Sequence, residues 1–378
     1  MPQLPNQMKI GILGTRGIPN NYGGFEQFAE FFSTYAAQAG HDVFVYSPHN
    51  HPYNETTFEK VNLIKCHDPE HKIGTAGQFI YDLNCILDSR KRNFDIILQL
   101  GYTSSAFWYD LHPKNSLVIT NMDGLEWKRT KYSKPVQKVL KIAEKLAAKK
   151  SNYLISDSLG IQQYLLKTHN KDSEYIAYGA HNFDTPNEEI LTLYKVEKHH
   201  FNMIMARFEP ENNLDMVLEG VQLSADEKPI LVIGNHNTKY GEYLKNKFKS
   251  CKKIQFLGAI YNLNHLDNLR YFSNLYFHGH TVGGTNPSLL EAMASQALIV
   301  AHNNHFNKGV LQENAYYFQT AQEVKKILET IKKIDNLQYV KNNFEAIATK
   351  FNWNKINEEY LQFFSKCLAG NATRAKVK

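Results

Sequence analysis

Cysteine is scarce in this chain, no run is long enough to cross a bilayer, and no leader is recognisable. Each lack removes a class of function. The four cysteines, Cys66, Cys85, Cys251 and Cys367, lie far apart without a Cys-x-x-Cys pair, which argues against a disulfide framework or a structural zinc site. No apolar stretch approaches the ~20 residues needed to span a membrane. The start, MPQLPNQ, lacks the basic residues and apolar block of a secretory leader, and the first strand-like run, KIGILG, begins at Lys9. The compartment expected is reducing and cytoplasmic. There is no Asp-x-Asp pair, no Gly-x-Ser-x-Gly elbow and no phosphate-loop lysine. A resident metal, a serine-hydrolase nucleophile and a Walker nucleotide site are therefore not expected.

What remains is an ordinary globular composition, 43% hydrophobic and 21% charged over 378 residues, enough for two domains. The net charge of +6 is unevenly spread: between Lys128 and Lys150, nine Lys or Arg face one acid, Glu144. Such a segment suits a negatively charged partner.

Short apolar runs alternate with helical patterns, which predicts α/β layering on parallel sheets. KIGILG, DVFVYS, VNLIKC, DIILQL, LVITNM and YLISDS read as one set of strands. FNMIMARF, PILVIG, KIQFLG, LYFHG and ALIVAH read as a second. Phe25, Phe28, Ala29, Phe32 and Ala36 carry the period of a helix that stops at Gly40. The polar stretch 181–199 reads as a linker. The expected architecture is two Rossmann-like doubly wound domains facing a central cleft, with ligands at the carboxyl ends of the strands.

Four stretches carry candidate chemistry. GILGTRGIPNNYGGFEQF places Gly14 after the first strand and Gly23–Gly24 at a helix start, where backbone N–H groups can approach an anion. Its Gly-x-x-Gly-x-x-Gly spacing and the absence of an acid after strand two argue against a nicotinamide site, and a plain flexible loop remains open. MARFEPENN ends a strand with Arg207, which can fork onto a diphosphate or pair with Glu209 or Glu211. GGTNPSLLEAMA has Asn286 as N-cap, Pro287 at the first helical position and Glu291 one turn inside. That carboxylate can accept from a diol, or simply serve the helix dipole. NMDGLEWKR sets Asp123 and Glu126 beyond a strand end, as clamp, base or Asx turn.

Together, GTRGIPNNYGGFEQFAE, NMDGLEWKR, ISDSLGIQQYL, YGA, ARFEPENN and GGTNPSLLEAM resemble the retaining, nucleotide-sugar-dependent glycosyltransferases of family four. Within it they look like the bacterial rhamnosyltransferase-like branch that builds surface polysaccharides. The resemblance spans the chain, including FNWNKINEEYLQFF, and implies the GT-B architecture. It implies an N-terminal acceptor-side domain over 1–185, a C-terminal nucleotide-sugar domain over 195–350, and a helix over 351–378 crossing back to the first.

It further implies that Glu291 binds the ribose hydroxyls, that Arg207 binds the diphosphate, and that Asp123 lies beside the transferred sugar. Gly14, Gly23, Gly24, Asn212, Gly283, Gly284, Thr285 and Asn286 would complete the donor site. Two positions depart from the family pattern: Gly283 stands where an acid is common, and Asn212 where a lysine is common. The implied activity is metal-independent transfer, with retention, of a sugar such as rhamnose to a saccharide or polyprenyl-linked acceptor. No cofactor and no nucleic acid are implied. The segment 134–150 is expected to touch an anionic membrane, with Val136, Val139, Leu140, Ala143 and Leu146 on one face. A sugar-nucleotide 2-epimerase and a non-catalytic nucleotide-sugar-binding subunit remain as alternatives.

Overall fold

Every strand expected from the sequence forms, and three short ones join them. The computed structural model describes residues 7–122, 124–129 and 132–376. It divides into two units, one of Met1–Trp127, Lys134–Tyr178 and Trp353–Lys378, the other of Lys128–Ser133 and Gly179–Asn352.

The first unit holds β1 (Lys9–Leu13), β2 (Asp42–Pro48), β3 (Thr57–Phe58), β4 (Val61–Cys66), β5 (Ile96–Leu100), β6 (Leu117–Asn121), β7 (Tyr153–Ser156) and β8 (Glu174–Tyr175). Their order across the sheet is β3-β4-β2-β1-β5-β6-β7-β8, parallel except between β3 and β4. The second unit holds β9 (Asn202–Met205), β10 (Ile230–Ile233), β11 (Ile254–Gly258), β12 (Tyr276–His278), β13 (Ile299–His302) and β14 (Tyr316–Phe318), in the order β11-β10-β9-β12-β13-β14.

Strands β5, β6 and β10 are buried throughout, as continuous apolar runs covered on both faces must be. The strands not foreseen, β3, β8 and β14, span two or three residues and are too short to show a period. The stretch 181–199 is not a bare linker. It contains the helix Ile190–Tyr194, anchored by the buried Leu191.

Each sheet places its first strand inside. β1 lies between β2 and β5, and β9 between β10 and β12. Successive connections therefore leave in opposite directions and open a crevice beyond the strand ends. In one unit that crevice is flanked by the loops after β1 and β5, in the other by those after β9 and β12.

The last helix, Trp353–Lys376, belongs to the first unit and packs on the helix Gly24–Gln38 through aromatics. Tyr360 lies 4.7 Å from Phe28 between ring centroids, and Phe364 meets Phe32 edge-on at 5.6 Å. Tyr360 also accepts from Asn121 Nδ2 at 3.0 Å at the end of β6. No helix among the described residues is long and apolar enough to cross a membrane.

Candidate active site

In the second unit the two loops at the switch are laced together. Asn213, at a left-handed φ of +50°, donates to the Gly279 carbonyl at 2.7 Å. Thr281 donates from N and Oγ1 to the Glu211 carbonyl at 3.1 and 2.9 Å. Glycine at 279 is required here, because a Cβ would lie 2.0 Å from the Asn212 carbonyl oxygen. Asn212 is 4% exposed and donates to the Arg207 carbonyl at 2.7 Å, so its amide ties the loop. Arg207 itself is exposed, two residues past the end of β9.

The loop after β12 runs into the helix Pro287–Ala294. Asn286 caps it by accepting from Ser288 N at 3.0 Å. Pro287 takes the first position, where its missing N–H costs nothing. Gly283 has φ +138°, and a Cβ there would meet nothing within 4 Å. An acid at this position is opposed by its own backbone and not by neighbours. Thr285 is buried. A small depression is lined by His280, Val282, Gly283, Gly284, Phe306 and Asn307.

Leu289, Leu290, Ala292, Met293 and Ala294 are buried, so Glu291 is the one acid on an apolar helix. Its Oε2 accepts from Arg270 Nη2 at 2.6 Å, while Arg270 Nη1 donates to Asp267 Oδ1 at 2.9 Å. Ser295 Oγ donates to the same Asp267 oxygen at 2.8 Å. Arg270 is wholly buried in the helix Leu263–Phe272. Burial opposes its charge, but the Glu291 carboxylate, with Tyr276 and Asp267, outweighs this and pushes the guanidinium up. The Glu291 side chain keeps 22% of its surface exposed. It lies past the first turn, and a residue serving only the dipole would need no buried cation.

His278 and His280 stack with centroids 4.4 Å apart and planes at 15°. Burial pulls both imidazoles down, His280 to about 3 with the Arg207 charge adding. They are neutral at pH 7. Among the described residues, both nitrogens of His278 and Nδ1 of His280 are buried without a partner. This unit therefore presents an exposed Arg207, a partly exposed Glu291 side chain and an uncharged pair of imidazoles.

In the first unit, Gly14 and Gly17 have φ of +81° and +93°, and a Cβ at Gly14 would lie 2.2 Å from the Leu100 carbonyl oxygen. Close packing on the end of β5 demands glycine. Glu26 is 4% exposed and braces the loop, accepting from Arg16 N at 2.7 Å and Thr15 Oγ1 at 3.3 Å. Arg16 pairs with Glu70 and stands 3.8 Å from Asp68. Gly23 precedes and Gly24 opens the first helix, where the Gly24 carbonyl accepts from Tyr178 Oη. Beside the loop, Asp82 is 8% exposed and accepts from Ser104 Oγ at 2.5 Å. Burial pushes its carboxyl up to about 6 against the pull of Ser104 and Arg16. His67 and His71, four residues apart, have ring centroids 5.0 and 6.0 Å from that of His49. Among the described residues no three His, Cys, Asp or Glu side chains are arranged to hold a metal.

Of the expected site residues, Arg207, Asn212, Gly283, Gly284, Thr285, Asn286 and Glu291 lie on the switch loops and the helix of one unit. Gly14, Gly23 and Gly24 form the loop of the other. Asp123 lies outside the described residues. The expectation for 134–150 needs correction. Leu140 and Ala143 face the protein with Glu144, Ala147 and Ala148, while Val136, Val139 and Ile142 form the exposed stripe. The reason is Glu144. It is buried, accepting from Trp127 Nε1 at 3.1 Å and Tyr164 Oη at 2.7 Å and contacting His169 Nε2 at 2.8 Å, and this turns its side of the helix inward. Sequence reasoning also missed Glu26, Arg270 and Asp267, whose roles rest on partners 10, 21 and 28 residues away.

Residues 191–351 match the family model "Glycosyl transferases group 1". This stretch is similar to a group 1 glycosyltransferase domain. Residues 7–181 match a domain of unknown function (DUF1972). No curated protein matches the chain in sequence. Among solved structures, the chain is similar to a sucrose-phosphate synthase from Thermosynechococcus elongatus, at 15% identity and a TM-score of 0.76 over 96% of this chain and 100% of that one. It is also similar to Anabaena HepE in complex with UDP and glucose, at 13% identity and TM-score 0.73, over 95% of this chain and 100% of that one. A third similar structure is "Trehalose-6-phosphate from E. coli bound with UDP-2-fluoro glucose", at 10% identity and TM-score 0.69, over 94% of this chain and 98% of that one. The α/β fold with two parallel sheets is thus that of the GT-B glycosyltransferases, and the family match indicates a glycosyltransferase.

Because the folded-state value of Asp82 is raised above the ~3.9 of an unfolded chain, its contribution is fully present below about pH 4 and is lost as pH rises to about 6. Asp82→Asn removes the buried charge at neutral pH and should stabilise the protein there by about 3 kcal/mol, with the gain gone at pH 4. Urea unfolding at the two pH values checks this; equal midpoints at pH 7 would show that Asp82 ionises without penalty.

Proposed function

We propose that this protein transfers a sugar with retention from a nucleoside diphosphate donor to a saccharide or polyprenyl-linked saccharide acceptor, in the assembly of a surface polysaccharide. The observation that carries this reading is that one unit presents exposed Arg207 on the loop after β9 and, after β12, the Gly283–Asn286 turn that runs into the helix carrying Glu291. In this reading Glu291 accepts from the 3′-hydroxyl of the nucleotide's pentose. Arg207 and the backbone N–H groups of the turn take the charge that grows on the departing diphosphate, without a metal.

The open space at Gly283 bears on the donor. An acid there would bond sugar hydroxyls; glycine offers a backbone N–H and room. A pocket shaped for a fully hydroxylated hexose would forfeit about 1–3 kcal/mol per unpaired polar group. We therefore assign a deoxy sugar, rhamnose on dTDP, as donor. A panel of dTDP-, UDP- and GDP-sugars tests this, with the product's anomeric configuration read by NMR. Transfer from dTDP-rhamnose with retention is expected, falling on the order of 10²–10³-fold in Arg207→Ala. Preference for UDP-glucose would overturn the donor, and conversion of a nucleotide sugar without acceptor would favour the 2-epimerase.

For a lipid-linked acceptor we assign the helix Lys134–Lys150 to the inner membrane surface, with the protein otherwise cytoplasmic. Its outward stripe of Val136, Val139 and Ile142 lies among exposed Lys138, Lys141, Lys145 and Lys149. Co-flotation with phosphatidylglycerol vesicles, lost at high salt and in Val139→Asp, is expected. Equal recovery with phosphatidylcholine alone, or no flotation, would remove the assignment.

A further inference from the structure

We infer that Arg270 is a positioning residue for the donor's ribose, holding the Glu291 carboxylate in place before the nucleotide arrives and so setting the preference for a 3′-hydroxyl. The inference rests on the assignment of Glu291 to the ribose made above. Arg270 comes from a different helix, is wholly buried, and touches one carboxylate oxygen, Oε2, at 2.6 Å. The carboxylate's remaining acceptor capacity and the 22% of the side chain that stays exposed are left for a ligand.

The anchor is itself anchored. Nη1 of the same guanidinium is held by Asp267 at 2.9 Å, and Asp267 by Ser295 Oγ at 2.8 Å. Ser295 Oγ also contacts the Glu291 carbonyl at 2.7 Å, closing the circuit on the helix that carries the carboxylate. A planar fork can bridge two acids at a set angle, which an ammonium cannot. A free glutamate would lose its rotamer freedom on binding; this one has lost it already, and that preorganisation is returned as affinity.

Charge explains which part of the donor belongs here. One cation stands between two acids, Asp267 and Glu291, so the trio carries a net charge of −1. It suits hydroxyl donors and disfavours phosphate, whereas Arg207, on the loop after β9, suits the diphosphate. If Arg270 were only a structural ion pair, its loss would weaken every nucleotide alike.

Calorimetric titration separates the two. The tightest binder among UDP, GDP and dTDP is compared with its 3′-deoxy counterpart on the full chain. The parent is expected to bind the 3′-hydroxyl form about tenfold more tightly. In Arg270→Met, which keeps apolar bulk but costs stability by leaving Asp267 and Glu291 without their cation, the ratio should fall to about twofold or less while affinity for the 3′-deoxy form holds. Arg270→Lys should keep part of the ratio. An unchanged ratio in Arg270→Met, or an equal loss for both ligands, overturns the proposal. Should that variant not fold, Arg270→Lys decides, and a ratio equal to the parent's overturns it. No preference in the parent, or a preference that survives Glu291→Gln, instead overturns the ribose assignment and takes this inference with it.

Discussion

The chemistry of each unit follows from where its first strand sits. With β1 between β2 and β5, and β9 between β10 and β12, the connections on either side turn away from each other and leave strand ends uncovered. Backbone must then pass backbone closely. Gly14 against Leu100 and Gly279 against Asn212 are the points where any side chain would collide. The loop before Gly23 in one unit, and the exposed Arg207 with the turn at Gly283–Asn286 in the other, each hang on the close passage of their own unit.

Buried charge supplies the second constraint. Glu26, Glu144 and Arg270 are nearly inaccessible, and each is ringed by partners: loop N–H and hydroxyl, aromatic hydroxyl and indole, or two carboxylates. An unpartnered charge at such depth is costly, so each acts as a fixed point around which its surroundings are oriented. Glu26 sets the glycine loop, Glu144 sets which face of the basic helix looks outward, and Arg270 sets Glu291. His278 and His280 solve the same problem by staying neutral.

The fold was largely legible because parallel strands buried on both faces are written as continuous apolar runs, and helices as 3.6-residue periods. KIGIL, IILQL, LVITN and ILVI could hardly be anything else, and Asn286–Pro287 announces its helix by capping chemistry alone. The positions of Arg207, Gly283 and Glu291 at strand and helix ends were readable for the same reason: they are set by neighbours within a few residues.

Partnership was not legible. The sequence by itself determined two parallel α/β sheets, their strands, the capped helix and the charges near its start. Only the tertiary structure decided that Glu291 is tied to Arg270, that Asn212 turns inward to the Arg207 carbonyl, and that the basic helix shows Val136, Val139 and Ile142 to solvent instead of Leu140 and Ala143. The physical reason is range. Period and capping are local, written within one turn of chain, whereas the burial of a charge is decided by groups that the fold brings from other helices and strands.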